Sequence, residues 1–299
     1  MFMRQFIEKI KIERKILSSD IIKYILSLED KFYIEAVTFL YNKSTVLCIS
    51  SQVGCPVKCL FCRTGQDSFK RNMSAEEIIG EVLLISKDLQ RKIDIISFMG
   101  MGEPLLNYDN VIKSIKFLKN YYKFSNSQIL VSTVGIPYRI YELANEALPI
   151  KLYFSLHAPS DKKRSNLIPF SFPIRILFRA LDYYSKTKKS ARQSVTVVYL
   201  LLRGINDTRD DLKKLIKLLK KRNFPVILKN YCNTDLSFKK LSRSALKVFC
   251  EGLEKAGIKY RISESYGEEI EAGCGQLRQQ YLESRITNQR STSINLCKF

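Results

Sequence analysis

Three cysteines, Cys55, Cys59 and Cys62, lie within eight residues and are spaced C-x-x-x-C-x-x-C. Thiolates clustered this closely are typical of metal binding. A structural zinc ion needs four ligands, usually in paired spacing, and no fourth ligand stands nearby, so zinc is the weaker interpretation. Iron–sulfur clusters are also held by cysteine thiolates, and three thiolates leave one iron of a 4Fe-4S cluster open. The spacing therefore predicts a cluster with an open iron.

These cysteines, and several other polar or glycine-rich loops, each follow an apolar run of strand-like composition. The runs cover 45–50, 93–98, 128–133, 150–156, 194–201 and 225–230. Segments of helical periodicity follow them at 74–89, 108–122, 137–147, 173–186, 208–222 and 242–257. Ser74 with Glu77, and Ser242, are typical helix starts, and Gly257 is a typical stop. Six strand–helix units predict an α/β fold with a parallel sheet, either a barrel-like array or a doubly wound sheet.

In both arrangements, functional residues lie on the loops after the carboxyl ends of the strands. The loops in those positions hold the cysteine triplet, "MGMGEP" at 99–104, "TVGIP" at 133–137, "SLHAPS" at 155–160 and "YCNT" at 231–234. We therefore expect five loops to meet at one rim. A carboxylate such as Glu103 can pair with an ammonium group there, and the neighbouring Gly102 allows close approach of the backbone.

The charge of the chain indicates a polyanionic partner. The 299 residues include 50 Lys and Arg but 29 Asp and Glu, a formal net charge of +21. Such an excess favours nucleic acid as the partner. Eight cysteines in a chain of this length are not a disulfide scaffold, and the longest apolar run, 195–202, is too short to cross a bilayer. With no signal-peptide pattern, we expect a cytoplasmic protein that does not enter a membrane.

Several segments, in order along the chain, resemble one family. They are "CISSQVGC", "FCRTG", "FKRNM", "SFMGMGEPLLNYDNV", "STVGIP", "FSLHAPSDKKRSNLIP", "GINDT" and "EIEAGCGQL". The cysteine triplet and GEP resemble the radical S-adenosylmethionine (SAM) superfamily, and the full set resembles its RNA adenosine methyltransferases, RlmN and Cfr. The resemblance spans roughly residues 32 to 281. It implies a partial (β/α)6 TIM barrel with a 4Fe-4S cluster and SAM as cofactors.

The resemblance also implies roles for single residues. The cluster ligands are Cys55, Cys59 and Cys62. The SAM contacts are Gly102, Glu103, Ser132, Ser155, His157 and Asn233, although Cys232 stands where the family's asparagine aligns and Asn233 is displaced from it by one position. The catalytic residues are Cys274, Cys48 and Glu35.

In that family, a first SAM methylates the residue matched by Cys274, and a radical from a second SAM takes hydrogen from the S-methyl group. The resulting methylene radical adds to adenine, and Glu35 would take the ring proton. Cys48 would then release methyladenine by forming a transient disulfide with Cys274. The predicted activity is formation of 2-methyladenine in RNA: 23S rRNA and, as a further substrate, tRNA. The alternatives are methylation of adenine C8, as in the Cfr branch, and a divergent paralogue with a non-RNA substrate.

The resemblance further implies an electron donor such as flavodoxin or ferredoxin, and a monomeric enzyme. We expect a short helical N-terminal extension over 1–34, since "MFMRQFIEKIKIERK" fits a helix. Residues 35–264 would form the barrel core, and 265–299 the loop of the catalytic cysteine with a tail. The segment "IPFS" at 168–171 replaces the family's "MPIN" in a loop expected to face the substrate.

Overall fold

The computed structural model describes residues 4–18, 20–124, 128–188, 194–231, 237–263 and 281. In this part of the chain, ten strands form one sheet in the order β1-β2-β3-β4-β7-β8-β9-β10-β11-β12, and β5 pairs with β6 separately. The N-terminal elements are α1 (Arg4–Ile7), β1 (Ile10–Ser18), β2 (Ile21–Leu28), β3 (Tyr33–Tyr41) and β4 (Ser44–Cys48). The later strands are β5 (Gln52–Val53), β6 (Arg71–Asn72), β7 (Ile95–Phe98), β8 (Ile129–Thr133), β9 (Ile150–Ser155), β10 (Val195–Leu201), β11 (Val226–Asn230) and β12 (Tyr260–Ser263).

Helices follow most of the parallel strands along the chain. They are α2 (Arg63–Gln66), α3 (Ala75–Leu89), α4 (Tyr108–Tyr122), α5 (Pro137–Asn145), α6 (Asp161–Leu167), α7 (Ile174–Thr187), α8 (Arg209–Leu219) and α9 (Arg243–Lys255), with a 3-10 turn at Pro104–Asn107. The six predicted strands and six predicted helices are confirmed. Among the helices that the structure describes, none combines the length and the apolar composition of a membrane span.

The predicted helix boundaries have the expected caps. Ser74 accepts a hydrogen bond from the backbone N–H of Glu77, whose side chain accepts in return from the backbone N–H of Ser74, so α3 begins with a capping box. Ser242 caps α9 by accepting from the N–H of Ala245. Gly257, at φ 70°, follows the end of α9 in the left-handed conformation that favours glycine. Short polar side chains thus define where these helices start.

The expectation of a helical extension over 1–34 is wrong. Among the described residues of this range, only Arg4–Ile7 is helical, and β1, β2, β3 and β4 form an antiparallel meander that continues the main sheet. The predicted boundary between residues 34 and 35 falls inside β3. Lys, Arg and Glu in this segment suit a helix, but its alternation of apolar residues suits a strand, and pairing with β2 decides between the two.

The parallel part of the sheet forms a partial barrel, as predicted. It holds one strand more than expected in the described residues, because the short, polar β12 pairs in parallel with β11. Arg261 of β12 donates from Nη1 to the hydroxyl of Tyr41 in β3 at 3.4 Å, with its guanidinium 5.4 Å from the ring centre. Since β3 and β12 are far apart in the strand order, this contact shows that the sheet curls round on itself.

Side chains of each strand alternate between the two faces of the sheet. On β11, Val226 and Leu228 belong to the core under the helices, whereas Ile227 and Lys229 face the other way, into the curve of the sheet. The same alternation places Ser132 of β8 directly across from Tyr153 of β9 on that inner face. The inner face therefore carries polar side chains close to the loops at the carboxyl ends of the strands.

Candidate active site

The cysteine loop lies between β5 and α2 and has a defined geometry. Cys55 and Cys59 are buried, and Cys62 is half-buried at the start of α2. Gly54, at φ 78°, begins the loop where a Cβ atom would come within 2.5 Å of the carbonyl oxygen of Ser68. The N–H of Leu60 donates to the carbonyl oxygen of Leu167 at 3.0 Å, which ties the loop to α6.

The three thiols lie close enough to act on one another. Burial raises the pKa of Cys55 to about 12, and the nearby Cys62 contributes. Burial and the charges of Cys62 and Cys55 raise the pKa of Cys59 well above its ordinary value. Burial also raises the pKa of Cys62. Three thiolates this close need a strongly positive group among them, and bound iron supplies one.

Arg164 provides a second sign that an anionic group belongs here. Its side chain is buried, with Nε donating to the carbonyl oxygen of Leu156 at 3.2 Å and Nη2 donating to those of Val134 and Ser155. Its Nη1 is buried without a hydrogen-bond partner in the described structure. The guanidinium lowers the pKa of Cys59, against the larger effect of burial. The residues present therefore fit a negatively charged iron–sulfur cluster.

Among the described residues, no group of three His, Cys, Asp or Glu side chains is arranged to hold a single metal ion. A 4Fe-4S cluster is held differently, because each thiolate binds a different iron atom.

The loop after β7 presents the predicted SAM-binding glutamate. Glu103 is buried, and its carboxylate accepts from the N–H groups of Leu105 at 3.0 Å and Val134 at 2.8 Å. Burial raises its pKa to about 7. Gly102, at φ 106°, lies so close to Ser51 and Gln52 that a Cβ atom would meet each at 2.7 Å. The glycine therefore allows the GEP loop to pack directly on the strand that leads into the cysteine loop.

Ser132, Ser155 and His157 lie at the carboxyl ends of β8 and β9. Both serines are half-buried on the inner face of the sheet. The Nδ1 atom of His157 accepts from the N–H of Leu200 at 3.0 Å, so in the neutral ring Nε2 carries the proton. Burial lowers the pKa of His157 to about 3, with contributions from Arg164 and Lys229. His157 also packs edge-on against Phe61 of the cysteine loop, with ring centres 5.0 Å apart.

Cys48 and Glu35 project from the same face of neighbouring strands. Cys48 of β4 lies directly across from Val37 of β3, and Glu35 stands two residues before Val37. Glu35 is buried, and its negative charge adds to the effect of burial in raising the pKa of Cys62. The structure therefore brings Glu35 and Cys48 to one face and Glu35 into electrostatic range of the cysteine loop. Cys274, Asn233 and Cys232 lie outside the described residues.

Sequence reasoning missed several residues that organise this region. Arg164 belongs to the run "DKKRSN", which as a string resembles a solvated basic surface. Asn107 donates from Nδ2 to the carbonyl oxygens of Ser51 and Met73, at 2.7 and 2.8 Å. Gln52 accepts from the N–H of Glu103 at 2.8 Å. All three residues lie within the motif segments, and this position was the only sign of their importance in the sequence. Their roles depend on packing, which the sequence does not show.

Comparison with known proteins identifies the superfamily to which the chain belongs. Residues 49–219 match the model of the Radical SAM superfamily. The chain belongs to this superfamily. Its cofactors are accordingly a 4Fe-4S cluster and SAM, as predicted. The structure is similar to that of a radical SAM methyltransferase from Sphaerobacter thermophilus, with a TM-score of 0.85 and 33% identity over 90% of this chain and 81% of that one. The more distant Streptococcus suis SuiB, at 13% identity and a TM-score of 0.54, shares the fold.

Relatives of similar sequence identify the family to which the chain belongs within the superfamily. A protein of Thermotoga sp. (strain RQ2), named "Probable dual-specificity RNA methyltransferase RlmN", is 43% identical over 267 residues, which are 88% of this chain and 77% of that protein. A protein of the same name from Dictyoglomus turgidum is 42% identical over the same shares. The chain is therefore a member of the RlmN family of radical SAM enzymes.

Proposed function

We propose that this protein is a radical SAM methyltransferase that forms 2-methyladenine in RNA, in 23S rRNA and in tRNA. The observation that carries the proposal is the shared face of Cys48 and Glu35 beside the cysteine loop. A radical SAM enzyme of another class needs the cysteine triplet but has no need for a second thiol and a buried carboxylate at this place. The names of the relatives, which describe RNA methyltransferases, support the same reaction class.

In the proposed site, Cys55, Cys59 and Cys62 hold the cluster, and Gly102, Glu103, Ser132, Ser155, His157 and Asn233 receive SAM. When bound by these cysteines, the cluster would supply the one-electron reduction that SAM cleavage needs and would accept the one electron that the ring chemistry gives up. The buried Arg164 offsets negative charge beside Cys59. Glu103 suits the amino group of SAM, because a carboxylate pairs strongly with an ammonium.

The chain's own residues carry the methyl group. The Cys274 thiolate first takes a methyl group from SAM by displacement. After loss of one hydrogen atom, the methylene carbon bonds to C2 of adenine, an electron-poor carbon that a radical can attack. Glu35 accepts the proton of the ring C–H bond, whose electron pair stays with the ring.

Cys48 completes the proposed reaction. Its thiolate attacks the sulfur of Cys274, so that a disulfide forms and the sulfur–carbon bond breaks. The electron pair of the broken bond moves to the methylene carbon, which takes a proton and becomes the methyl group. A thiol reductant then restores both cysteines, while an electron donor such as flavodoxin or ferredoxin serves the cluster.

The variant Cys48→Ala tests this proposal. It keeps the cluster ligands and Cys274, so SAM cleavage and methylation of Cys274 should continue. It lacks the thiolate that releases the product, so RNA should remain covalently joined to Cys274. The measurement is RNA that migrates with the denatured protein and is lost on nuclease treatment, with Cys250→Ala, which removes a thiol of α9, as the control.

Three results would contradict the proposal. RNA-free Cys48→Ala protein with normal turnover would make Cys48 a core residue only. RNA-free and inactive protein with intact SAM cleavage would point to a different substrate. Detection of 8-methyladenosine in place of 2-methyladenosine, by mass spectrometry of digested RNA, would move the reaction to C8.

A further inference from the structure

Lys23 of β2 is fully buried, an unusual state for a lysine, and lies beside Glu35. Its Nζ atom is 3.9 Å from Oε2 of Glu35, and both side chains are almost completely shielded from solvent. Lys23 is directly across from Val37, and Val37 is directly across from Cys48. Lys23, Glu35 and Cys48 therefore share one face of three consecutive strands.

A buried carboxylate is costly to keep ionised unless a positive group lies next to it. Without such a group it takes up a proton and becomes a neutral acid, which cannot accept another. The only use that the proposed reaction makes of Glu35 is to accept a proton. The reaction therefore needs a positive group at Glu35 as much as it needs the carboxylate.

The distance between the charges suits that task. At 3.9 Å the contact is an ion pair that is longer than the 2.7–3.2 Å typical of hydrogen bonds from N–H to oxygen. The ammonium thus stabilises the negative charge from its position on β2 without sharing its proton in a short bond. The cross-strand register holds the two side chains as diagonal neighbours, so the pair belongs to the sheet and does not depend on a loop.

We infer that Lys23 is a positioning residue of the methyl transfer, whose buried ammonium group holds the side chain of Glu35 in place to accept the proton of adenine. This inference rests on the proposed function, because it gives Glu35 the role of proton acceptor. It concerns only the late steps, since Lys23 has no part in SAM cleavage or in methylation of Cys274. A general base contributes roughly 10²–10⁴-fold to a reaction rate, so loss of Lys23 should have a large and selective effect.

The test compares Lys23→Met, Lys23→Arg, Glu35→Gln and Lys23→Met/Glu35→Gln in the cluster-loaded full chain. For Lys23→Met we expect unchanged formation of 5′-deoxyadenosine, unchanged methylation of Cys274, and a fall of about 10²-fold in methyladenosine. The covalent RNA adduct should accumulate. Lys23→Arg keeps the positive charge, so its rate of methyladenosine formation should fall less than that of Lys23→Met. Lys11→Met, which removes an exposed lysine of β1, is the control and should behave as wild type.

The double variant shows whether Lys23 acts through Glu35. If it does, Lys23→Met/Glu35→Gln makes methyladenosine at the rate of Glu35→Gln alone, because the second substitution has nothing further to remove. The unfolding midpoint gives a readout apart from activity: Lys23→Met should lower it, because the substitution removes one member of a buried ion pair. If Lys23→Met does not fold, the comparison of the double variant with Glu35→Gln still decides.

The inference is overturned if Lys23→Met releases methyladenosine at the wild-type rate, if its SAM cleavage falls as far as its product, or if the losses of the two single variants multiply in the double variant. These results are distinct from failure of the proposed function. If the wild-type enzyme cleaves SAM but makes no methyladenosine, the proposed function fails and the role of Lys23 fails with it.

Discussion

The hydroxyl group of Ser50 donates a hydrogen bond to the backbone carbonyl oxygen of Glu35, with the two oxygens 2.7 Å apart. The same hydroxyl accepts from the N–H of Met101 at 3.1 Å, and the N–H of Ser50 donates to the buried carboxyl group of Glu81. One buried serine thus joins β3, the loop after β7 and α3. The strand with the proposed base and the loop with the proposed SAM contacts are held together through it.

Replacement of Ser50 by Ala should destabilise the protein. The carbonyl of Glu35 and the N–H of Met101 would lose this partner in a buried setting, at a cost of about 1–3 kcal/mol in the free energy of unfolding. Urea titration measures this loss. Ser165→Ala, which removes an exposed serine hydroxyl on α6, should change stability by less than about 0.5 kcal/mol. Equal losses in the free energy of unfolding would mean that the hydrogen bonds of Ser50 stabilise the protein no more than those of an exposed serine.

Cys59→Ala should abolish the cluster. Two thiolates are too few for a 4Fe-4S cluster of this kind, so bound iron, the visible absorption of the cluster and reductive SAM cleavage should all be lost. Cys250→Ala is the matched control, because Cys250 is equally buried but lies on α9. Undiminished SAM cleavage in Cys59→Ala would contradict the assignment of the triplet.

Arg164→Met should weaken retention of the cluster. The guanidinium is the positive group that lowers the pKa of Cys59, and groups that support metal ligands typically contribute about 10–100-fold to metal affinity. The measurement is iron content after exposure to a chelator. Arg222→Met is the control, because Arg222 pairs with Asp182 of α7 at 2.7 Å in the outer layer of helices. Iron loss at the same rate in both variants would refute the role of Arg164.

His157 should make stability depend on pH. Its pKa of about 3 in the folded protein lies below the ordinary 6.5, so the unfolded chain binds a proton that the folded protein does not. This contribution is fully present above pH 6.5 and is lost as pH falls towards 3, with a slope of up to about 1.4 kcal/mol per pH unit.

The variant His157→Asn is the control for that dependence, because asparagine tolerates the positive φ of 55° and its side-chain oxygen can accept a hydrogen bond. Relative to the variant, the wild type should lose stability to urea as pH falls from about 7 to about 5, because Glu103, with a pKa of about 7, and the other carboxyl groups titrate in both proteins. Parallel curves would show that His157 is not held neutral by the fold.

RNA binding should weaken steeply with salt. A net charge of +21 supports contacts to many phosphates. Six to ten such contacts would lose about 10³–10⁵-fold in affinity between about 50 and 200 mM salt. Filter binding with an RNA hairpin over this range measures the slope. A flat response would argue against a polyanionic substrate.

Local patterns in the sequence were sufficient for the parallel strands, the helices α3 and α9 with their serine caps, and the cysteine loop. Each of these depends on neighbours in the chain: apolar periodicity, a capping oxygen three residues from its N–H, or thiols spaced to reach one cluster. The strand β1 was misjudged because its residues suit both a helix and a strand, and only pairing with β2 selects the strand.

Tertiary structure alone decided which charged residues are buried and what they face. In the sequence, Arg164 and Lys23 are two of many basic residues in a positively charged chain. In the structure both are buried, Arg164 near Cys59 and Lys23 with its Nζ atom 3.9 Å from Oε2 of Glu35. The sequence motifs marked Glu35 and Cys48 but not the lysine next to them. Such pairings depend on strand register and on how the sheet curves, and these bring together residues whose separation along the chain carries no sign of their contact.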